Sequence, residues 1–126
     1  MRTRLLDSHR SLCAQAPHSA WDADKLASLV EAMEAGESIP AIVCIQGMDD
    51  YDQVFALTGS HRLASADAAG VDLPVWLIKA TNVWESAVLE MVRLAGDGEF
   101  GVKVELLRRL AVRKNWKRIA SALEGQ

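Results

Sequence analysis

The sequence predicts an α+β fold: a small mixed β-sheet with packed helices, followed by a helical C-terminal portion. Two observations carry that expectation. Short apolar runs rich in strand formers, Ala41-Ile42-Val43-Cys44-Ile45, Val54-Phe55-Ala56-Leu57 and Val75-Trp76-Leu77-Ile78, are separated by segments with helical spacing of apolar residues. Glycine and proline fall between these segments rather than inside them, at Gly36, Pro40, Gly47, Gly59, Gly70 and Pro74.

The first 21 residues carry weak signals. Leu5 and Leu6 can begin a strand, but Ser8, His9, Pro17, His18 and Ser19 are loop formers. A helix follows, capped by Asp22 or Asp24, with Leu26, Leu29, Val30 and Met33 at i, i+3, i+4 and i+7, and Gly36 at its end. Trp21, just before it, reads as a core or staple residue, or as a surface on which a nucleobase stacks. The strand after Pro40 is apolar on both faces and belongs at the centre of the sheet. A polar turn, Gly47 to Asp52, leads back into Val54–Leu57 as a hairpin.

Thr58-Gly59-Ser60 then turns the chain sharply into a helix with Ser60 as N-cap and Gly70 at the C′ position, and Val75–Ile78 forms the next buried strand. Such a strand–turn–helix unit can hold an anion. The helix N-terminus carries about half a positive charge and unpaired N–H donors, and Arg62 adds a guanidinium fork. Beyond Ile78, Asn82 and Glu85 form a capping box, and Trp84, Ala87, Val88 and Met91 make one apolar face before Gly96-Asp97-Gly98 breaks the helix. The break divides the chain into a domain at residues 1–96 and a basic helical extension at 97–126. In the extension, Leu106, Leu107, Leu110 and Ala111 are out of phase with Val112, Trp116, Ile119, Ala120 and Leu123, so two helices meet near Arg113-Lys114-Asn115.

Charge is unevenly spread. Residues 1–100 hold 7 Lys/Arg against 15 Asp/Glu, whereas residues 101–118 hold 7 basic residues and one acid. A polyanion would meet the C-terminal segment first, through Arg108, Arg109, Arg113, Lys114, Lys117 and Arg118. The two cysteines, Cys13 and Cys44, form no metal-binding pattern and read as reduced thiols. No apolar run approaches the ~20 residues of a membrane helix, and the N-terminus has no apolar h-region, so a cytoplasmic protein without a membrane partner is expected. His9, His18 and His61 match no metal spacing, and no metal site is assigned. Asp22, Asp24, Asp49, Asp50 and Asp52 are the carboxylates available to hold Mg²⁺.

Gly59-Ser60-His61-Arg62, followed by an Ala-rich helix, a glycine and a proline-led apolar strand, resembles the G-x-H-R box of the ParB/sulfiredoxin-like superfamily. Upstream, Leu26, Leu29, Val30, Gly36 and Ile39-Pro40-Ala41-Ile42-Val43 are similar to the family's helix, glycine and strand, so the resemblance spans roughly residues 22–79. Members bind nucleotides with this box; they include CTP-switching partition proteins, ATP-dependent sulfinic acid reductases, free-serine kinases and nucleases. The resemblance implies a nucleotide, ATP or CTP with Mg²⁺ as its companion ion. Thr58, Gly59, Ser60, His61 and Arg62 would be the phosphate site, with His61 and Arg62 as the residues of catalysis in a slow NTPase or phosphotransferase. Ser60 stands where sulfiredoxins carry a catalytic cysteine, which argues against peroxiredoxin repair, and Thr58 replaces the acidic residue of many relatives.

Two other functions follow from the same residues. One is a DNA-binding or nuclease-type protein of plasmid or phage DNA handling. Trp116–Gly125 looks like the opening of a helix-turn-helix, but the sequence ends where a recognition helix would begin, so sequence-specific reading is not expected. The other is an inactive regulatory module acting through a homodimer or a protein partner.

Overall fold

The computed structural model describes residues 1–17, 19–48, 53–57, 59–94 and 100–124. A four-stranded sheet is formed by β1 (Arg2–Leu6), β2 (Ile42–Gln46), β3 (Phe55–Ala56) and β4 (Val75–Lys79), in the order β1-β4-β2-β3. It is mixed: β2 and β4 run parallel, with Ile42 opposite Val75, while β1 is antiparallel to β4 and β3 to β2. All five residues of β2 are buried, as the continuous apolar run requires of a strand covered on both faces.

Side-chain alternation along β2 and β4 divides the interior into two layers. On one side Ile42, Cys44 and Val75 meet Met33 of α1 (Ala23–Glu34) and Leu63 and Ala66 of α2 (Ser60–Ala69). On the other, Val43, Ile45 and Ile78 meet three further helices: α3 (Val83–Leu94), α4 (Phe100–Arg113) and α5 (Lys117–Glu124). The buried contacts on that side are Leu89, Val92, Leu107, Ala111, Ile119 and Leu123.

The N-terminal segment is more ordered than its composition suggests. The strand begins at Arg2, and its basic residues suit an edge position, where charge discourages pairing with another chain. At the opposite edge, Gln15 accepts from Ala56 N at 2.9 Å and donates to Val54 O at 2.8 Å, so the loop before α1 covers β3. That strand is only two residues long, although Val54 and Leu57 flanking it are buried as expected.

Helix α3 departs from expectation. Its buried residues are Leu89 and Val92, whereas Trp84 is 78% exposed and Met91 72%. The spacing identifies an apolar face, but α3 has a second one, and the second faces the sheet. Asn82 caps α3 by accepting from Glu85 N at 2.9 Å. Glu85, however, reaches Thr81 rather than Asn82, so the capping box is half formed. The α4–α5 junction lies where the phase change predicts it. Asn115 has φ 58°, and Asn115 N and Trp116 N donate to Val112 O and Ala111 O, a Schellman ending. Leu107 and Ala111 are buried there, while Leu106 and Val112 turn outward. No described helix is long and apolar enough to cross a membrane.

Candidate functional site

The turn into α2 is built on Gly59. Its φ of 88° is a left-handed conformation, and a Cβ there would lie 2.4 Å from Ile42 Cγ2, so only glycine lets the turn lie against β2. Gly59, rather than Ser60, is the N-cap; Ser60 is the first helical residue and is buried. As a glycine, the N-cap residue supplies no side-chain acceptor to the first N–H groups of α2. Thr58 lies outside the described residues.

The next two side chains are committed to the scaffold. His61 is buried and its Nε2 accepts from Asp22 N at 3.2 Å, tying the start of α2 to the start of α1. That acceptor role places the ring proton on Nδ1. Trp21, read from the sequence as a core or staple residue or as a stacking surface for a nucleobase, is 75% exposed and so not in the core; its ring is set edge-on to His61, centroids 5.9 Å apart. Arg62 is half-buried and donates from Nη1 to Pro40 O at 2.9 Å and Ala41 O at 3.2 Å, the carbonyls that lead into β2. Burial holds its pKa below the usual guanidinium value. Its Nε lies 3.3 Å from the Cβ position of Gly59, so the positive charge stands beside the turn.

A cleft of about 500 Å³ opens along α2. Ser60, Leu63, Ala64 and Asp67 form one wall, and His9, Arg10, Cys13 and Ser19 of the N-terminal loop form the other. Its volume lies in the range of small-molecule sites. Ser60 is the residue that the cleft shares with the Gly59–Arg62 box. His9 is buried and fully directed: Nδ1 accepts from Leu73 N at 3.0 Å, which makes Nε2–H the donor to Asp67 Oδ1 at 2.8 Å. Arg10 lies 3.4 Å from Asp72 Oδ1.

Nothing local in the sequence marks His9, Arg10, Cys13 or Asp67 as neighbours. The strand β1 has to pair with β4 before the loop that follows it can lie over α2, and that pairing joins Arg2 to Lys79 and Leu6 to Val75. Of the carboxylates expected near Mg²⁺, the two that the structure describes both belong to the start of α1. Asp22 caps α1 by accepting from Lys25 N at 3.1 Å, and Asp24 sits exposed in its first turn. Asp49, Asp50 and Asp52, like His18, lie outside the described residues. Among the described residues no group of three His, Cys, Asp or Glu side chains could hold a metal ion.

The basic candidates lie across the sheet from this cleft, on α4, on α5 and, for Lys114, in the turn between them. Arg108 and Arg109 both pair with Glu105 at 3.1 Å. Arg113, Lys114, Lys117 and Arg118 are exposed and make no ion pair among the described residues.

No protein-family model and no curated protein matches the sequence. Among solved structures, the chain is similar to the C-terminally truncated chromosome-partitioning protein ParB from Caulobacter crescentus, complexed with CTP-gamma-S. The likeness covers 98% of this chain and 71% of that one, at 13% identity and a TM-score of 0.48.

Proposed function

We propose that the chain binds a nucleotide, with its phosphates at the Gly59–Arg62 turn and the remainder of the ligand along the cleft beside α2. The observation that carries this reading is the continuity of the two: Ser60, the first residue of the helix that Gly59 starts, is also a wall of the 500 Å³ cleft. The helix N-terminus and the charge of Arg62 beside Gly59 make the turn attractive to an anion. Arg10 adds a second cation at the cleft.

In this reading His61 and Arg62 act first as positioning residues. One fixes α1 against α2, and the other holds the entry to β2 against the turn, so the phosphate site is preorganised before a ligand arrives. Arg62 would also stabilise charge developing on a transferred phosphoryl group. Mg²⁺ would enter with the phosphates, since no described carboxylate set awaits it.

The test is isothermal titration with ATP, CTP, GTP and their diphosphates, with and without Mg²⁺. Ala64→Trp is the matched variant, because Ala64 lines the cleft without taking part in the turn. Saturable binding that this variant weakens at least tenfold, with an unchanged circular dichroism spectrum, supports the proposal. Failure of the folded protein to bind any nucleotide overturns it. Phosphate release from the bound nucleotide then distinguishes an NTPase from a binding module.

A further inference from the structure

We infer that the corner between α4 and α5 is a docking site for single-stranded nucleic acid, combining cations with two indoles at one groove. The charge pattern is the first observation. Residues 106–123 contain six Lys/Arg and no acid. A solvated helix surface ordinarily intersperses both signs. Arg108 and Arg109 are answered by Glu105 one turn back. Arg113, Lys114, Lys117 and Arg118 are exposed at the corner itself, with no ion pair among the described residues.

The groove is the second observation. It has a volume of about 280 Å³ and is bounded by Trp76 of β4, Trp116 at the junction, and Lys117 and Arg118 at the start of α5, with Thr3 of β1 at its side. Both indoles are half-buried, packed against the core and still open at the groove. The left-handed Asn115 sets the angle that carries Trp116 onto the sheet and leaves Lys117 and Arg118 at the rim. Aromatic faces in a cationic groove are what an unpaired strand requires, since bases stack on the rings while phosphates follow the charge. A duplex keeps its bases stacked inside, and an acidic peptide would use the cations alone. Trp76 and Trp116 belong to the layer of α3–α5, on the opposite side of the sheet from α2, so this site does not depend on the nucleotide reading.

The experiment uses fluorescence anisotropy of labelled dT20, a duplex of equal length and polyglutamate as competitor, at 50 and 200 mM salt. It is run beside Lys117→Glu/Arg118→Glu. Acids in the first turn of α5 suit the helix dipole, which favours folding of that variant; Lys117→Gln/Arg118→Gln serves as the milder second test. Indole emission is followed in Trp21→Phe/Trp84→Phe, which removes the two strongly exposed indoles and keeps Trp76 and Trp116.

Three results together are expected. First, dT20 binds more tightly than the duplex. Second, it quenches the remaining indoles. Third, charge reversal weakens it at least tenfold, with a salt slope shallower by roughly 1.4, the share of two phosphate contacts on a single strand. Absence of dT20 binding at 50 mM salt overturns the inference. Equal binding of duplex without quenching, or equal competition by polyglutamate, overturns it too, because either would reduce the corner to a general polyanion surface.

Discussion

Gly59 lies so close to Ile42 that a Cβ on the glycine would come within 2.4 Å of Ile42 Cγ2. This approach joins the start of α2 to the start of β2 and so fixes the mouth of the candidate site. Gly59→Ala meets two costs: a left-handed backbone at φ 88° and a methyl group driven into a buried isoleucine. Together they should amount to about 2–4 kcal/mol, combining the cost of a left-handed alanine with overpacking. Urea denaturation checks this, and a loss below about 0.5 kcal/mol would mean that the turn is not held against β2.

The outline of this architecture is legible in the sequence where physics is local. The strands β2 and β4 are continuous apolar runs, α1 has one stripe between an aspartate cap and Gly36, and the phase change at Asn115 separates α4 from α5. Other features depend on distant partners and leave no local trace. The glycine at 59 reads as a turn, but its second reason, Ile42, lies on another strand. His9 and Asp67 are 58 residues apart and meet only because the N-terminal loop crosses α2. Arg62 reads as a ligand for phosphate, and its hydrogen bonds to Pro40 and Ala41 cannot be read from spacing.

Those bonds predict that Arg62→Ala lowers stability in the absence of any nucleotide. The variant strips a charged donor from two carbonyls at the entry to β2, a loss of about 1–3 kcal/mol. Denaturant midpoints of the ligand-free protein measure it. Wild-type stability would show that the guanidinium is not needed by the scaffold.

The two thiols should react at very different rates. Cys44 is fully buried in β2 and burial pushes its pKa up to about 12, whereas Cys13 is exposed on the cleft. A thiol-specific disulfide reagent near pH 8 should titrate one group at once and the second only after unfolding, since the thiolate is the reactive form. Rapid titration of both would contradict the burial of β2.

Acid stability should depend on Glu85. Its carboxylate accepts from the Met1 ammonium, from Thr81 Oγ1 at 2.6 Å and from Thr81 N at 2.9 Å, and these bonds lower its pKa from 4.5 to about 2. A carboxylate with a depressed folded pKa contributes stability above its unfolded value. That contribution is therefore complete above about pH 4.5 and disappears as pH falls towards 2. Glu85→Gln should destabilise the protein at pH 7 and flatten the pH dependence across this window. Parallel wild-type and variant curves between pH 5 and 2 would remove Glu85 from the acid transition.

The phase of α3 gives a contrast between neighbouring apolar residues of one helix. Leu89 is 1% exposed against the sheet layer, and Leu89→Ala should cost about 2–5 kcal/mol by leaving a cavity. Trp84 has nearly four-fifths of its surface in solvent, so Trp84→Ser should change stability by about 0.5 kcal/mol or less despite removing the larger side chain. The same substitution should raise solubility, because Val83, Trp84, Met91 and Leu94 share the outward side of α3 and all are more than half exposed. Thermal unfolding of the two variants decides the phase. A large loss for Trp84→Ser with a small one for Leu89→Ala would rotate α3 by about a third of a turn and bring the Trp84–Met91 face back to the sheet.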